Sequence, residues 1–220
     1  MELVAGLRED RGQARLGLVI LNQAVQNASM SRSPEFDRDR ALDRALALFW
    51  RKGYQATSLA DLLGAMGIAR SSFYATFTDK RTLYIACMDL FAMRVLAMLE
   101  RARHEQPPLD VLHHFLAGRF AGGRASRAAW GCLLVNSVLE MAGFDEDLVA
   151  RASNHLLDLQ GFFRTCLRDA GATPARAEEL AAMLMLFNEG MRVSSRRRLP
   201  DAQHLHAIDT TFRLIRGAIA

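Results

Sequence analysis

Cysteine is scarce in this 220-residue chain, which contains only Cys87, Cys132 and Cys166. The number is odd, and no two of them stand at C-x-x-C spacing. This pattern argues against a disulfide framework and against a structural zinc site, because both need paired or clustered thiols. We therefore expect the protein to work in a reducing cytoplasm.

Long apolar runs and the motifs of common enzyme classes are also missing. No apolar run approaches the roughly eighteen residues that a membrane span needs, so we expect no membrane partner. The sequence has no glycine-rich phosphate loop, no G-x-S-x-G and no H-E-x-x-H motif, and its six histidines do not stand at metal-ligand spacing. These absences predict no catalytic residue, no cofactor and no metal site, which leaves a helical enzyme as an unsupported alternative.

Strand patterns are absent as well, and the hydrophobic periodicity is helical throughout, so the sequence predicts an all-α protein. Apolar residues at helical spacing predict a first helix over about 37–52, which Gly53 ends. A second helix is predicted over about 58–66, capped by Thr57 or Ser58, and Asp61 stands three residues after Ser58 as in a capping box. Gly67 ends this helix, and a third one of barely two turns follows over about 70–76.

The third helix is too short to be stable alone in water, so Phe73 and Phe77 must pack back onto the first two helices. Its other face then carries small or polar side chains, which suit a helix that enters the major groove of DNA. These residues are Arg70, Ser71, Ser72, Ala75 and Thr76. Helix-turn-helix geometry alone is also compatible with three packed helices of an ordinary helical domain, but the combined caps, glycines and aromatic positions favour DNA binding.

The same stretch carries a family resemblance. The pattern F-x-x-K-G-Y-x-A-T-S-L-x-D-L, followed by G-I-x-R-x-S-F-Y-x-x-F-x-D-K-x-x-L, resembles the N-terminal domain of TetR/AcrR transcriptional repressors and covers roughly residues 37–85. The resemblance implies phosphate contacts by Thr57 and Tyr74, a backbone contact by Lys80, and base contacts by the polar face of the third helix. The DNA-binding residues predicted in this way are Thr57, Ser58, Arg70, Ser71, Ser72, Tyr74, Thr76 and Lys80. Ala69 and Thr76 depart from the family pattern, in which a Ser or Thr cap and a His are usual.

Three regions follow from this assignment. Residues 31–83 would form the helix-turn-helix DNA-binding domain, and residues 84–220 an effector-binding and dimerisation domain. Residues 1–30 form a leader without the features of a signal peptide. The leader is either an extra helix or the product of a translation start placed upstream of Met30, and we favour the second because an ordinary N-terminal arm begins just after that residue. In both cases we expect poor order.

Six further helices are predicted after residue 78. Their approximate ranges are 79–104, 109–120, 130–141, 145–170, 175–196 and 202–219. The last two have apolar residues over more of their circumference than a monomer needs, which favours an intersubunit four-helix bundle; the alternative is that both stripes lie inside one subunit. The predicted dimer contacts are Leu180, Leu184, Phe187, Phe212 and Ile215. The family resemblance implies the same mode of dimerisation on a palindromic operator.

A small-molecule effector is the remaining expected partner. Polar groups among apolar helix residues would orient a ligand, and the tentative pocket comprises Trp130, Cys132, Asn136, Glu140, Phe163, Phe187 and Glu189. The Gly131–Cys132–Leu133 segment resembles one in a subgroup of the family with members that respond to electrophiles, so Cys132 is the predicted sensing thiol. The alternative is a helix-turn-helix protein that a partner protein controls without a small ligand.

Overall fold

Helices make up the fold in the residues that the computed structural model describes, which are 37–121, 130–197 and 199–219. These ranges contain nine α-helices, one short 3-10 helix at Ser195–Arg197 and no strand, which confirms the all-α prediction. The α-helices are α1 Arg38–Lys52, α2 Leu59–Met66, α3 Arg70–Phe77, α4 Lys80–Glu105, α5 Pro108–Ala121, α6 Leu133–Met141, α7 Glu146–Asp169, α8 Pro174–Ser194 and α9 Asp201–Ile219. The chain divides into residues 1–38 and a compact unit of residues 39–220. The predicted leader lies outside the described residues.

The ends of the first helices follow the predicted caps. Gly53, which follows α1, has a φ of 87°, and Gly67, which follows α2, has a φ of 71°. Ser58 caps α2, and its side chain and that of Asp61 form the reciprocal capping box. Ala69 precedes α3 and provides no side-chain cap. The departure from the family pattern at this position therefore leaves the first-turn amides of α3 without an acceptor from the cap residue.

A tight turn joins α3 to α4. The N–H of Asp79 donates to the carbonyl of Phe77 across Thr78, which has φ and ψ of 61° and −57°. This is a γ-turn of the positive-φ kind, a conformation that a β-branched residue adopts only with strain. Asp79 then caps α4 through its side chain, which accepts the N–H of Thr82 at 2.7 Å.

Helix α4 packs against α5, α6 and α7 and extends from the recognition motif into the C-terminal half. Its buried side includes Leu83, Tyr84, Cys87, Met88 and Leu99. The predicted domain boundary at residue 83 thus falls inside a continuous helix. Helix α4 is also long and apolar enough by length and composition to cross a membrane, although the sequence analysis found no such run. A core helix of a non-membrane protein meets the same criterion, and a third of the most apolar window is buried.

The last two helices keep part of the exposed apolar flank that the sequence predicts, with Met183, Leu186 and Val193 on α8 and Leu214 on α9, but most of the residues predicted as dimer contacts are not in it. Helix α9 packs mainly against α5, where Phe212 lies edge-on to His113 with ring centroids 5.2 Å apart. Leu180, Leu184, Phe212 and Ile215 are all buried within the single chain, with exposures of 7%, 0%, 1% and 0%, and Phe187 is partly buried. The prediction that these four buried residues form the dimer contact is therefore wrong, because they belong to the core of one subunit.

Candidate DNA-binding surface and ligand cavities

Helix α3 presents a polar face to solvent. Phe73 and Phe77 are buried, whereas Arg70, Ser71 and Tyr74 are exposed. Ser72 and Thr76 are partly exposed. The two phenylalanines therefore hold this two-turn helix against the other helices and leave its basic, hydroxyl-bearing side free, as the sequence predicts.

The start of α2 provides a second polar surface. Thr57 has no exposed surface, and its hydroxyl donates to the carbonyl of Gly53 at 2.5 Å. In this conformation the hydroxyl stabilises the loop before α2, and the phosphate contact of Thr57 stays a prediction. Ser58 is exposed beside Asp61, which is also paired with Lys52 at 2.7 Å. These hydrogen bonds hold the pKa of the Asp61 carboxyl well below its usual range.

Lys80, at the start of α4, is partly exposed, and its side chain lies against an aromatic ring. Its Nζ lies 4.3 Å from the centroid of the Tyr54 ring, a cation–π distance. Burial lowers the pKa of its amine, and the charge of Glu140 opposes this shift. A phosphate contact by Lys80 therefore requires the side chain to leave Tyr54, and this contact stays a prediction.

Glu140, predicted to lie in the effector pocket, instead contacts the loop after α1, within the predicted DNA-binding domain. Its two carboxylate oxygens accept the backbone N–H groups of Tyr54 and Gln55 at 2.9 and 2.8 Å. A Cβ atom at Gly53 would lie only 3.0 Å from these oxygens, so glycine at this position allows the close approach as well as the positive φ. Glu140 therefore joins the C-terminal end of α6 to the loop that follows α1.

Two more hydrogen bonds join the segment around α6 to α1 and to α4. Trp50 Nε1 of α1 donates to the carbonyl of Gly131 at 3.1 Å. The hydroxyls of Tyr84 and Ser137 are 2.7 Å apart in a buried position, and burial of the Tyr84 phenol raises its pKa above the usual range. With Glu140, these contacts attach α6 and the residues just before it to α1, to the following loop and to α4.

An apolar groove of about 570 Å³ lies between α6, α7 and α8. Four of its rim residues are large hydrophobics with more than half of their surface exposed: Leu139, Leu157, Leu186 and Val193. Of the predicted pocket residues only Glu189 lines this groove, and burial raises the pKa of its carboxyl. Asn136 and Glu140 line a different cleft of about 350 Å³ beside α1.

Cys132 lines a third cavity, which has a volume of only about 20 Å³ and lies among helices α4 to α8. Arg192 and His155 lie at the same cavity among apolar side chains. Arg192 is not among the predicted pocket residues, although its position continues the buried spacing of Leu184, Met185 and Asn188 along α8. Trp130, Phe163 and Phe187 line none of the three cavities, so the predicted pocket residues do not form one site.

In the described parts of the chain, no group of three or more His, Cys, Asp or Glu side chains could hold a metal ion. All three cysteines are reduced and buried. The Sγ atom of Cys87 lies 4.0 Å from the carbonyl oxygen of Leu42. Burial raises the pKa of Cys166 to about 12, so this thiol is protonated near neutral pH.

Known proteins resemble this chain over most of its length. Residues 41–87 match the family of bacterial regulatory proteins named tetR, and residues 108–211 match the C-terminal domain of LmrA/YxaF-like transcriptional regulators. The HTH-type transcriptional repressor ComR of Escherichia coli (strain K12) is 32% identical over 195 residues, which cover 84% of this chain and 92% of ComR. The uncharacterized HTH-type transcriptional regulator YezE of Bacillus subtilis (strain 168) is 30% identical over 166 residues, 73% of this chain and 84% of YezE.

Among solved structures, a cysteine mutant of the TetR family transcriptional regulator CifR, complexed with a 26-bp double-strand operator DNA, superposes with a TM-score of 0.67. It is 26% identical, and the match covers 83% of this chain and 98% of that one. These proteins are regulators of transcription, which confirms the prediction that the chain is not an enzyme.

Proposed function

Because the chain belongs to the TetR family of transcriptional regulators, we propose that it is a cytoplasmic repressor that binds a palindromic operator as a homodimer and is released by a small-molecule effector. The observation that carries this proposal is the exposed polar face of α3, together with the hydrogen bonds that join α1 and the loop after it to the α6 region. A DNA-reading helix and a ligand-binding half linked by specific contacts are the parts that a one-component switch requires.

The DNA contacts divide into two groups. Arg70 can pair with a guanine edge in the major groove, and Ser71, Ser72 and Thr76 can reach neighbouring bases. Tyr74, Ser58 and Lys80 surround this face and are assigned to phosphates, together with the first-turn amides of α3, which no side chain caps. The 26-bp operator of CifR has room for two half-sites one helical turn apart.

We assign the apolar groove between α6, α7 and α8 to the dimer interface. A monomer that left Leu139, Leu157, Leu186 and Val193 in water would expose a contiguous apolar surface, and a second copy of the chain would cover it. The exposed stripe on α8 also includes Met183. This assignment retains α8 as a dimerisation helix and replaces the buried residues that the sequence analysis selected.

A movement of α6 would cause release from the operator. Val135, Val138 and Leu139 line the groove, while Glu140 on the same short helix holds the amides of Tyr54 and Gln55. A shift of α6 by even one ångström would break these two hydrogen bonds or move α1 and α3 with it. The spacing of the two recognition helices in a dimer would then no longer match the half-sites.

The direct test is binding to the DNA upstream of the chain's own coding sequence, where such regulators commonly have an inverted repeat. We expect the protein to be a dimer by sedimentation at micromolar concentration and to bind this DNA with a salt dependence typical of several phosphate contacts. A monomer that binds the same DNA tightly would contradict the dimer, and binding no stronger than to random duplex would contradict an operator there.

Cys132 as a sensing thiol stays part of this proposal as a second possible input. The residue is 3% exposed, and buried free cysteines are usually inert. We expect wild type, but not Cys132→Ser, to release the operator after treatment with an electrophile. Equal release by both proteins, or adducts found by mass spectrometry only on Cys87 or Cys166, would remove Cys132 from the mechanism.

A further inference from the structure

Arg192 of α8 has a buried nitrogen that makes no hydrogen bond among the described residues. Its Nε atom has no exposed surface and no hydrogen-bond partner. Burial lowers the pKa of the guanidinium, with a smaller opposing effect from Cys132. Among the described residues no carboxylate forms an ion pair with it, and its closest charge-stabilising contact is the Phe115 ring, 6.0 Å from the guanidinium carbon. The residue as a whole is partly exposed, so the unsatisfied part of the side chain is this one buried N–H, to which a bound anion would supply the missing acceptor.

The surroundings of Arg192 suit the apolar part of such an anion. The cavity beside it is lined mainly by hydrocarbon and aromatic groups from α4, α5 and α7: Phe91, Val95, Leu96, Phe115 and Leu159. His155 is the other titratable side chain in the described lining besides Cys132, and its Nε2 is already engaged by Asp89 at 2.8 Å. At about 20 Å³ the cavity holds only a group of the size of one water.

A second cavity lies directly behind two of these lining residues. Phe91 and Val95 also line a cleft of about 270 Å³ between α1 and α4, together with Leu46, Trp50 and Met98. The two side chains are therefore the wall between the Arg192 cavity and this cleft. Rotation of Phe91 would join the two spaces into one channel with a volume near the lower end of ordinary ligand sites.

We propose that Arg192 binds the carboxylate of an apolar organic acid, whose hydrocarbon part displaces Phe91 and extends into the cleft between α1 and α4. The guanidinium offers the planar, charge-assisted hydrogen bonds that a carboxylate accepts, and the rest of the channel has a mainly apolar lining, with the Asp43–Arg94 ion pair as its charged part. This inference names the chemical class of the effector, and it depends on the proposed function only for its consequence at the operator.

That consequence follows from the position of Trp50. Its ring lies edge-on to Phe91, with centroids 5.0 Å apart, and edge-on to Trp130 at 5.5 Å. Its Nε1 also donates to the carbonyl of Gly131, beside Cys132. An acid that displaces Phe91 must therefore disturb Trp50, and with it the helix that supports α3. Since Trp50 and Trp130 are the only tryptophans of the chain, intrinsic fluorescence reports on this step directly.

The test uses the full-length protein without DNA and two matched pairs of probes: octanoate with octanamide, and 3-phenylpropionate with its amide. Binding is measured by calorimetry and by tryptophan fluorescence. We expect at least one acid to bind about tenfold or more tightly than its amide, because hydrogen bonds to a charged group exceed those to a neutral one. Arg192→Met should abolish this preference, whereas Arg176→Met should retain it, since Arg176 lies on the same helix but pairs with Glu179 at the surface.

The opposite results would overturn the inference. They are equal binding of acid and amide, no binding of either acid at millimolar concentration, or an acid preference that Arg192→Met retains. If Arg192→Met does not fold, Arg192→Gln and the acid–amide comparison in the wild type decide instead. Operator release by the bound acid is measured separately, so a protein that binds the acid but no operator would contradict the proposed repressor and leave the acid site intact.

Discussion

The DNA-reading segment and the regulatory half of this protein are held together by contacts of different range. In the segment of α1–α3 the hydrogen bonds that shape the surface join near neighbours, such as Ser58 with Asp61 and Thr57 with Gly53. The contacts that link this segment to α6 join residues far apart in the sequence: Tyr54 and Glu140 are separated by 86 positions, and Trp50 and Gly131 by 81. Under the proposed function, the first kind would define what the protein can read, and the second kind would allow a distant ligand to change it.

The largest effect is expected from the apolar groove. Leu186→Glu would place a charge in the middle of the proposed dimer contact, where burial without a partner is costly. We expect monomers in sedimentation and a loss of operator affinity of about a hundredfold or more, because a single half-site supplies few contacts. Met93→Glu, at another exposed hydrophobic residue on α4 outside the groove, is the control and should remain dimeric. A dimeric Leu186→Glu protein would place the interface elsewhere.

On the DNA-reading side, Arg70→Ala should cost about 1–3 kcal/mol on the preferred site and relax the choice of base at one position. Competition titrations against single-base variants of the operator measure both effects. If the loss is the same on every sequence, Arg70 contacts phosphate rather than a base.

Lys80→Ala should behave differently from Arg70→Ala. Loss of a phosphate contact weakens binding to all duplexes alike and reduces the slope of log affinity against log salt by about one. An unchanged salt titration would mean that the Lys80 amine stays over Tyr54 in the complex.

The long-range link is tested by Glu140→Ala. The change leaves the N–H groups of Tyr54 and Gln55 without their acceptor, which should lower the free energy of unfolding by about 1–3 kcal/mol and weaken the response to the effector. Chemical denaturation and effector-induced release measure the two effects. The control is Glu146→Ala, which removes a carboxylate that accepts only the nearby N–H of Gly143. Equal effector responses in Glu140→Ala and wild type would exclude this link from the switch.

The smallest effect concerns the turn between α3 and α4. Thr78→Gly should raise the free energy of unfolding by about 1 kcal/mol, because glycine adopts the positive φ without strain. Thr78→Ala keeps the strain and should give no comparable gain. Thermal unfolding of the wild type, Thr78→Gly and Thr78→Ala tests this prediction. A destabilised glycine variant would mean that the turn is not strained in solution.

The sequence by itself determined the helices, their caps and the DNA-reading face. Gly53, Gly67 and the Ser58–Asp61 box act within a few residues, so their effects can be read from spacing. The buried positions of Phe73 and Phe77 were predictable for the same reason, since a two-turn helix must pack by its apolar side.

Only the tertiary structure decided what the apolar and polar residues of the C-terminal half do. Hydrophobic periodicity shows that Leu184 and Phe212 need burial, but not whether their own chain or a second copy provides it, and here α5 and the rest of the subunit do so. In the same way, Glu140 and Arg192 are both charged residues on apolar helices. The carboxylate of Glu140 meets two backbone amides, whereas the Nε of Arg192 meets none of the described acceptors, because the packing of distant segments sets the partners of a partly buried charge.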